Sequence, residues 1–206
     1  MENKYCIIYN PLSGNKSGAA CAQSLQARLN ADECVDMTSI ESYADFFESH
    51  KDVSIVICGG DGTLNRFVND VSDVEIKSSI YFYPCGSGND FHREIKTDAD
   101  EPICIDKYIK DLPVCTVNGK EFKFINGIGY GIDGYCCEVG DKLRLESSKP
   151  INYTSIAIKG LLFHYKPTTA KITVEFSEPR PLQIDGETIP NVTSYSARSA
   201  KILAKI

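Results

Sequence analysis

The run Gly59-Gly60-Asp61-Gly62-Thr63 sets one carboxylate among three glycines and follows directly on the apolar stretch VSIVIC at residues 53–58. Glycines remove the Cβ that holds a ligand off the backbone, so successive amides can converge on phosphate oxygens. Leu64, Phe67 and Val68 fall at helical spacing just beyond, and the start of such a helix adds the positive end of its dipole. An aspartate repels a bare phosphate, so Asp61 suggests a metal ion, a bound water or a hydroxyl to be activated. The plainer alternative stays open: a strand-to-helix turn with Asp61 as cap.

Gly86-Ser87-Gly88-Asn89-Asp90 repeats the pattern after a second apolar run, SIYFY. Ser87 offers a hydroxyl and Asn89 an amide that can orient a nucleotide, while Asp90 reads first as the N-cap of the next helix. In a third loop, Asn10-Pro11 turns the chain after YCIIY at residues 5–9, and Ser13, Gly14 and Lys16 could reach a phosphate. The spacing GxxxxGK[ST] is missing, as is GxGxxG, so neither a P-loop nor a dinucleotide fingerprint is supported. His92 and Glu94 lack further ligands at metal spacing and read as a solvated helix, with Arg93 either exposed or on a phosphate.

These loops need a scaffold. Short continuous apolar strands alternating with helical segments at residues 19–29, 42–49 and 64–68 imply right-handed crossovers and a doubly wound, mostly parallel sheet. All three loops then fall at the carboxyl ends of strands, where such sheets bind ligands. Residues 34–38 read as a further strand. Beyond about residue 106 the texture changes to strands at 112–117, 121–126, 170–176 and 181–184, with Asn118-Gly119 as a hairpin turn and one helix at 153–165. The expectation is an α/β fold: an α/β nucleotide-binding domain over residues 1–108 and a β-rich second domain over 109–206.

The chain of 206 residues carries a formal charge of −6, which weighs against nucleic acid as a partner. Its nine cysteines are odd in number and include no CxxC pair; several sit in apolar runs, as buried thiols in a reducing cytoplasm would. No stretch of about 18 apolar residues and no signal-peptide pattern occurs, so a cytoplasmic location is expected.

NPLSG, GGDGT and PCGSGNDF, in that order, resemble the diacylglycerol kinase catalytic-domain family, which includes bacterial lipid kinases and the sphingosine and ceramide kinases and is related in fold to the NAD kinases. The resemblance runs from residue 4 to about 175, and the DGE at 185–187 is similar to a late element of that family. It implies ATP held by the α/β domain, a β-rich domain behind it and the active site in the cleft between them. It further implies nucleotide contacts at Asn10, Thr38, Gly59, Gly60, Asp61, Gly62, Thr63, Asn65 and Ser87, with Gly86 and Asn89 in the same loop as Ser87. Asp61 matches the aspartate associated with Mg²⁺ and phosphoryl transfer, and Glu187 the general base that takes the proton of the lipid hydroxyl. The plainer alternative is that Asp185-Gly186 is only a hairpin turn with Glu187 exposed beside it.

One departure stands out: Phe176 is followed almost at once by SEPRPLQIDGE, so the second domain looks abbreviated or internally deleted after residue 176. A lipid acceptor and transient visits to a membrane surface are the implied partners, and a homodimer stays open. The alternatives are a catalytically inactive nucleotide-binding relative and an NAD kinase-like enzyme.

Overall fold

The apolar runs become strands because both faces of the sheet they form are covered. In the computed structural model, which describes residues 4–13, 17–86, 88–95, 100–129, 131–146, 151–164, 171–184 and 187–198, β1 (Tyr5–Tyr9), β2 (Glu33–Asp36), β3 (Ser54–Gly59), β4 (Ile80–Pro84) and β5 (Ile103–Cys104) build one sheet. Its order is β2-β1-β3-β4-β5, with the first four strands parallel and β5 antiparallel to β4. Alternation along the strands divides the core. Ile7, Val56 and Cys58 pack with Ala22 and Leu25 of α1 (Gly18–Leu29). Ile8, Ile55, Ile57 and Phe82 pack with Phe47 of α2 (Tyr43–Ser49) and with Leu64, Phe67 and Val68 of α3 (Asp61–Asp70). Each Val, Leu, Ile or Phe side chain among these contributes about 1.5–3 kcal/mol on full burial, which makes this sheet the stable base of the loops.

Local signals mark several boundaries. Ser42 caps α2, its Oγ accepting the Asp45 amide at 3.2 Å. β2 stops at Asp36, two residues short of the expected Thr38, because the Asp36 carboxylate takes the Thr38 amide (2.8 Å) and hydroxyl (2.7 Å) and bends residues 37–39 into a 3₁₀ turn. Two short helices follow β4: α4 (Asp90–Glu94) and α5 (Asp106–Ile109). The hairpin β6 (Val114–Val117) and β7 (Lys120–Lys123) turns at Asn118 (φ 52°) and Gly119 (φ 78°), the doubly left-handed turn that this dipeptide favours.

Two compact units emerge: Met1–Gly129 with Gly140–Asn152, and Tyr130–Val139 with Tyr153–Ile206. Helix α6 (Ile132–Glu146) has residues in both, and sequence periodicity did not anticipate it. The second unit also holds α7 (Tyr153–Lys159), extended by a π turn over Gly160–His164, and the antiparallel ribbon of β8 (Lys171–Ile184) and β9 (Glu187–Arg198). The ribbon runs straight through the SEPRP segment, with register irregularities between Glu175 and Leu182. Most of its side chains are exposed, Ile172 and Ile184 among them.

The cysteines depart from the all-thiol expectation, since Cys21 and Cys85 form a disulfide. Cys6 and Cys58 are buried thiols as expected.

Candidate functional site

In a doubly wound sheet the loops after neighbouring strands diverge where the strand order reverses, and that crevice is the ordinary ligand site. Here β1 has β2 on one side and β3 on the other, so the loops after β1 and β3 open such a crevice, with the loop after β4 beside it.

After β1, the Asn10 side chain folds back to accept the Leu12 amide at 3.0 Å, and the Asn10 carbonyl accepts the Ser13 amide and hydroxyl at 3.1 and 2.8 Å. A Cβ on Gly18 would overlap that carbonyl, so α1 can begin there only on glycine. Gly14 and Lys16 lie outside the described residues. Thr38, exposed at the end of β2, spends its hydroxyl proton on Asp36.

After β3, Gly60 takes the N-cap position of α3 with no side-chain cap, and its carbonyl accepts the amides of Thr63 and Leu64. The amides of Asp61 and Gly62 come too early in the helix to have intrahelical acceptors, and they lie at the positive end of the dipole. Thr63 is buried beneath Gly59, where a Cβ would come within 2.5 Å of its side chain.

The loop after β4 packs directly against this turn. The Cys85 amide donates to the Gly59 carbonyl at 2.8 Å. A Cβ on Gly86 would lie 2.7 Å from the Gly60 Cα and 2.8 Å from Asn89 Oδ1. Asn89, left-handed at φ 53°, closes the loop on itself: Oδ1 accepts the Gly86 amide and Nδ2 donates to the Gly86 carbonyl. Glycines read from the sequence as room for phosphates are thus partly room for the protein's own backbone. Gly62 differs, with nothing within 4 Å of a Cβ placed on it.

Asp61 does not cap its own helix. Its Oδ2 accepts the Asp90 amide at 3.0 Å and its Oδ1 the Phe91 amide at 2.9 Å, so it caps α4 from the neighbouring loop. Asp90, expected as that cap, instead occupies the first turn of α4 and pairs with Arg93. Each Asp61 oxygen keeps lone-pair capacity beyond its one amide, which suits Mg²⁺ held chiefly by substrate phosphates and water.

Asn65 points elsewhere. Its Nδ2 donates to the Lys123 carbonyl at 3.1 Å, alongside Asn69, whose Nδ2 donates to the same carbonyl at 2.9 Å and whose Oδ1 accepts the Lys123 amide at 2.9 Å. The pair clamps β7 to α3, a role readable from sequence only as two asparagines four apart on one helix face. A cavity of about 520 Å³ lined by Asn69, Asp70, Asp73, Phe122 and Lys123 lies at this clamp. Ser87 lies outside the described residues, as do Asp185 and Gly186; Glu187 opens β9 opposite Ile184, with its side chain exposed.

Comparison with known proteins matches residues 4–115 to the family model described as the diacylglycerol kinase catalytic domain. Among curated relatives, the chain is 30% identical over 119 residues to a diacylglycerol kinase of Staphylococcus saprophyticus, covering 53% of this chain and 38% of that protein. It is 27% identical over 188 residues to the diacylglycerol kinase of Staphylococcus carnosus, covering 85% of this chain and 60% of that one. To human diacylglycerol kinase zeta it is 27% identical over 104 residues, 47% of this chain and 11% of that protein. The chain therefore spans less than two thirds of the length of each of these relatives.

Proposed function

Because the chain belongs to the diacylglycerol kinase catalytic-domain family, we propose that it is an ATP-dependent lipid kinase that moves the γ-phosphate of ATP to the hydroxyl of diacylglycerol or a similar lipid alcohol. The observation that carries this reading is the turn after β3, where the amides at the start of α3 lie open beside Gly62 at the sheet's switch point. Phosphoryl transfer asks a protein mainly for alignment, charge stabilisation and a proton acceptor.

In this reading the phosphates approach α3 over Gly62, and the Asp61 and Gly62 amides take up their negative charge. Asn10, Thr38, Gly59, Gly60, Thr63, Gly86, Ser87 and Asn89 shape or contact the nucleotide. Asn65 enters indirectly, by fixing α3 against β7. Asp61 holds the loop after β4 in place through α4 and turns its remaining lone pairs to Mg²⁺, which neutralises phosphate charge when bound. Glu187 accepts the proton as the lipid oxygen bonds to the γ-phosphorus, and the bond to the leaving ADP oxygen breaks.

The acceptor must be met at a lipid surface. Ile158, Leu161, Leu162 and Phe163 are 53 to 76% exposed, an apolar patch suited to lipid contact. No helix among the described residues is long and apolar enough to cross a membrane.

The test is transfer of radiolabelled phosphate from ATP with Mg²⁺ into a panel of lipid alcohols presented in mixed micelles, with NAD as a parallel acceptor. Label in a lipid supports the reading. Label in NAD favours an NAD kinase-like enzyme, and ATP binding without transfer to any acceptor marks an inactive nucleotide-binding relative.

A further inference from the structure

Three sulfurs converge behind the glycine loops. Cys58 immediately precedes Gly59, Cys85 immediately precedes Gly86, and Cys21 lies in the first turn of α1. Strand alternation sends Cys58 to the sheet face that α1 covers, and there Cys58 Sγ lies 3.1 Å from Cys85 Sγ and 3.9 Å from Cys21 Sγ. The sulfurs all lie within 4.8 Å of one another; Cys58 is buried and the other two are half-buried. The Cys21–Cys85 disulfide accounts for two of them. It gives no reason for a third thiol at the same point.

A cation of the d¹⁰ class gives one. With metal–sulfur bonds of about 2.3 Å, thiolates around one ion stand about 3.8 Å apart in a tetrahedral site. The Cys58–Cys21 separation already matches, and the other two need only widen when the disulfide opens. Soft thiolates select Zn²⁺ and Cu⁺ over Mg²⁺ or Ca²⁺, so the site is chemically separate from anything at Asp61. We propose that Cys21, Cys58 and Cys85 in their reduced form bind one thiophilic cation, Zn²⁺ or Cu⁺, and that the Cys21–Cys85 disulfide and the bound cation are mutually exclusive states of this site.

The balance is simple. A dithiol passes two electrons and two protons to the Cys21–Cys85 disulfide and itself becomes a disulfide. The cation then binds three sulfurs and releases their three protons. Three sulfurs complete a trigonal Cu⁺ site, whereas Zn²⁺ takes a water as its fourth ligand. Among the described residues the other convergence of this kind, Cys6, Glu33 and His50, is explained without an ion: His50 meets the Phe46 carbonyl at 2.7 Å and Glu33 at 3.2 Å. It serves as the control.

The proposal stands apart from the reaction and is tested without it. The full chain, reduced and freed of reductant under anaerobic conditions, is titrated with Cd²⁺ as a spectroscopic stand-in for Zn²⁺, and separately with Zn²⁺ and Cu⁺ against chromogenic chelators. One equivalent of Cd²⁺ should raise a thiolate-to-metal absorbance band, and Cys6→Ser should keep it. Cys58→Ser should lose the band and bind at least about tenfold more weakly, while still forming the Cys21–Cys85 disulfide with oxidised glutathione, which shows that it folds. Should Cys58→Ser fail to fold, Cys21→Ala must lose the band instead. Absence of a stoichiometric band in the reduced chain, an undiminished band in a folded Cys58→Ser or Cys21→Ala variant, or equal binding by the oxidised chain would each overturn the proposal.

Discussion

The carboxylate of Asp61 receives the backbone amide of Phe91 at 2.9 Å, and through it the turn after β3 caps the helix that follows β4. Asp61→Asn replaces one acceptor oxygen with a donor that must face an amide. The variant should lose about 2 kcal/mol of stability, the worth of hydrogen bonds to a charged group, and the Phe91 amide should exchange faster. Urea unfolding and hydrogen exchange measure both. Unchanged protection at Phe91 would remove the capping role and leave Asp61 wholly to the chemistry.

Two glycines of the same loops should respond in opposite ways. Gly86→Ala drives a Cβ to 2.7 Å from the Gly60 Cα, and since that atom is backbone and cannot swing aside, the loops must part at a cost of about 1–3 kcal/mol. Gly62→Ala meets no protein atom and gains helix propensity of up to about 1 kcal/mol, so its melting temperature should hold or rise. If phosphates ride over this turn, the same change should weaken ATP binding. Calorimetric melting paired with nucleotide titration separates the outcomes, and ATP affinity equal to the unmodified chain would move the phosphates away from Gly62.

Features fixed within a few residues were legible in the sequence. The buried runs of β1, β3 and β4, the short helix expected over 42–49 and the Asn118-Gly119 turn depend on neighbours, and each appears within a residue of where the residue types place it. Relationships between loops were not legible. That Asp61 serves α4 rather than α3, that Gly60 and Gly86 are glycines for each other's sake, and that Cys21 meets Cys85 all depend on which strands become neighbours. Helix α6 was hidden for a different reason: its IDGYCCEVGDKLRLE carries two glycines and no steady apolar stripe, so periodicity had little to read.

Asn69 should matter more than Asn65, although only Asn65 was expected at the nucleotide. Asn69 makes both a donor and an acceptor bond to the Lys123 backbone and a further bond to the Asn65 carbonyl, against one bond for the Asn65 side chain. At about 1 kcal/mol per bond, Asn69→Ala should cost about 2–3 kcal/mol and Asn65→Ala about 1. Exchange at the Lys123 amide should rise chiefly in the first variant. Equal losses would mean that the hairpin is held by other contacts.

Tyr43 links packing to pH. Its hydroxyl is buried with no hydrogen-bond partner, so Tyr43→Phe should stabilise the protein by about 1 kcal/mol. Burial, reinforced by Asp70, pushes the phenol from 10.0 up to about 12. Burial, reinforced by Glu33, pushes the Cys6 thiol from 9.0 to about 12. In both cases the folded state keeps a proton that the unfolded chain gives up, so the contribution to stability is complete below the unfolded values and declines as pH climbs toward 12. Unfolding free energy should therefore fall steadily above pH 9, where Cys6 would ionise in the unfolded chain. Tyr43→Phe should flatten only the part above pH 10, because the thiol starts the decline and the phenol steepens it. Urea titrations across this range test both slopes; a variant profile parallel to that of the unmodified chain would mean that the Tyr43 hydroxyl is solvated after all.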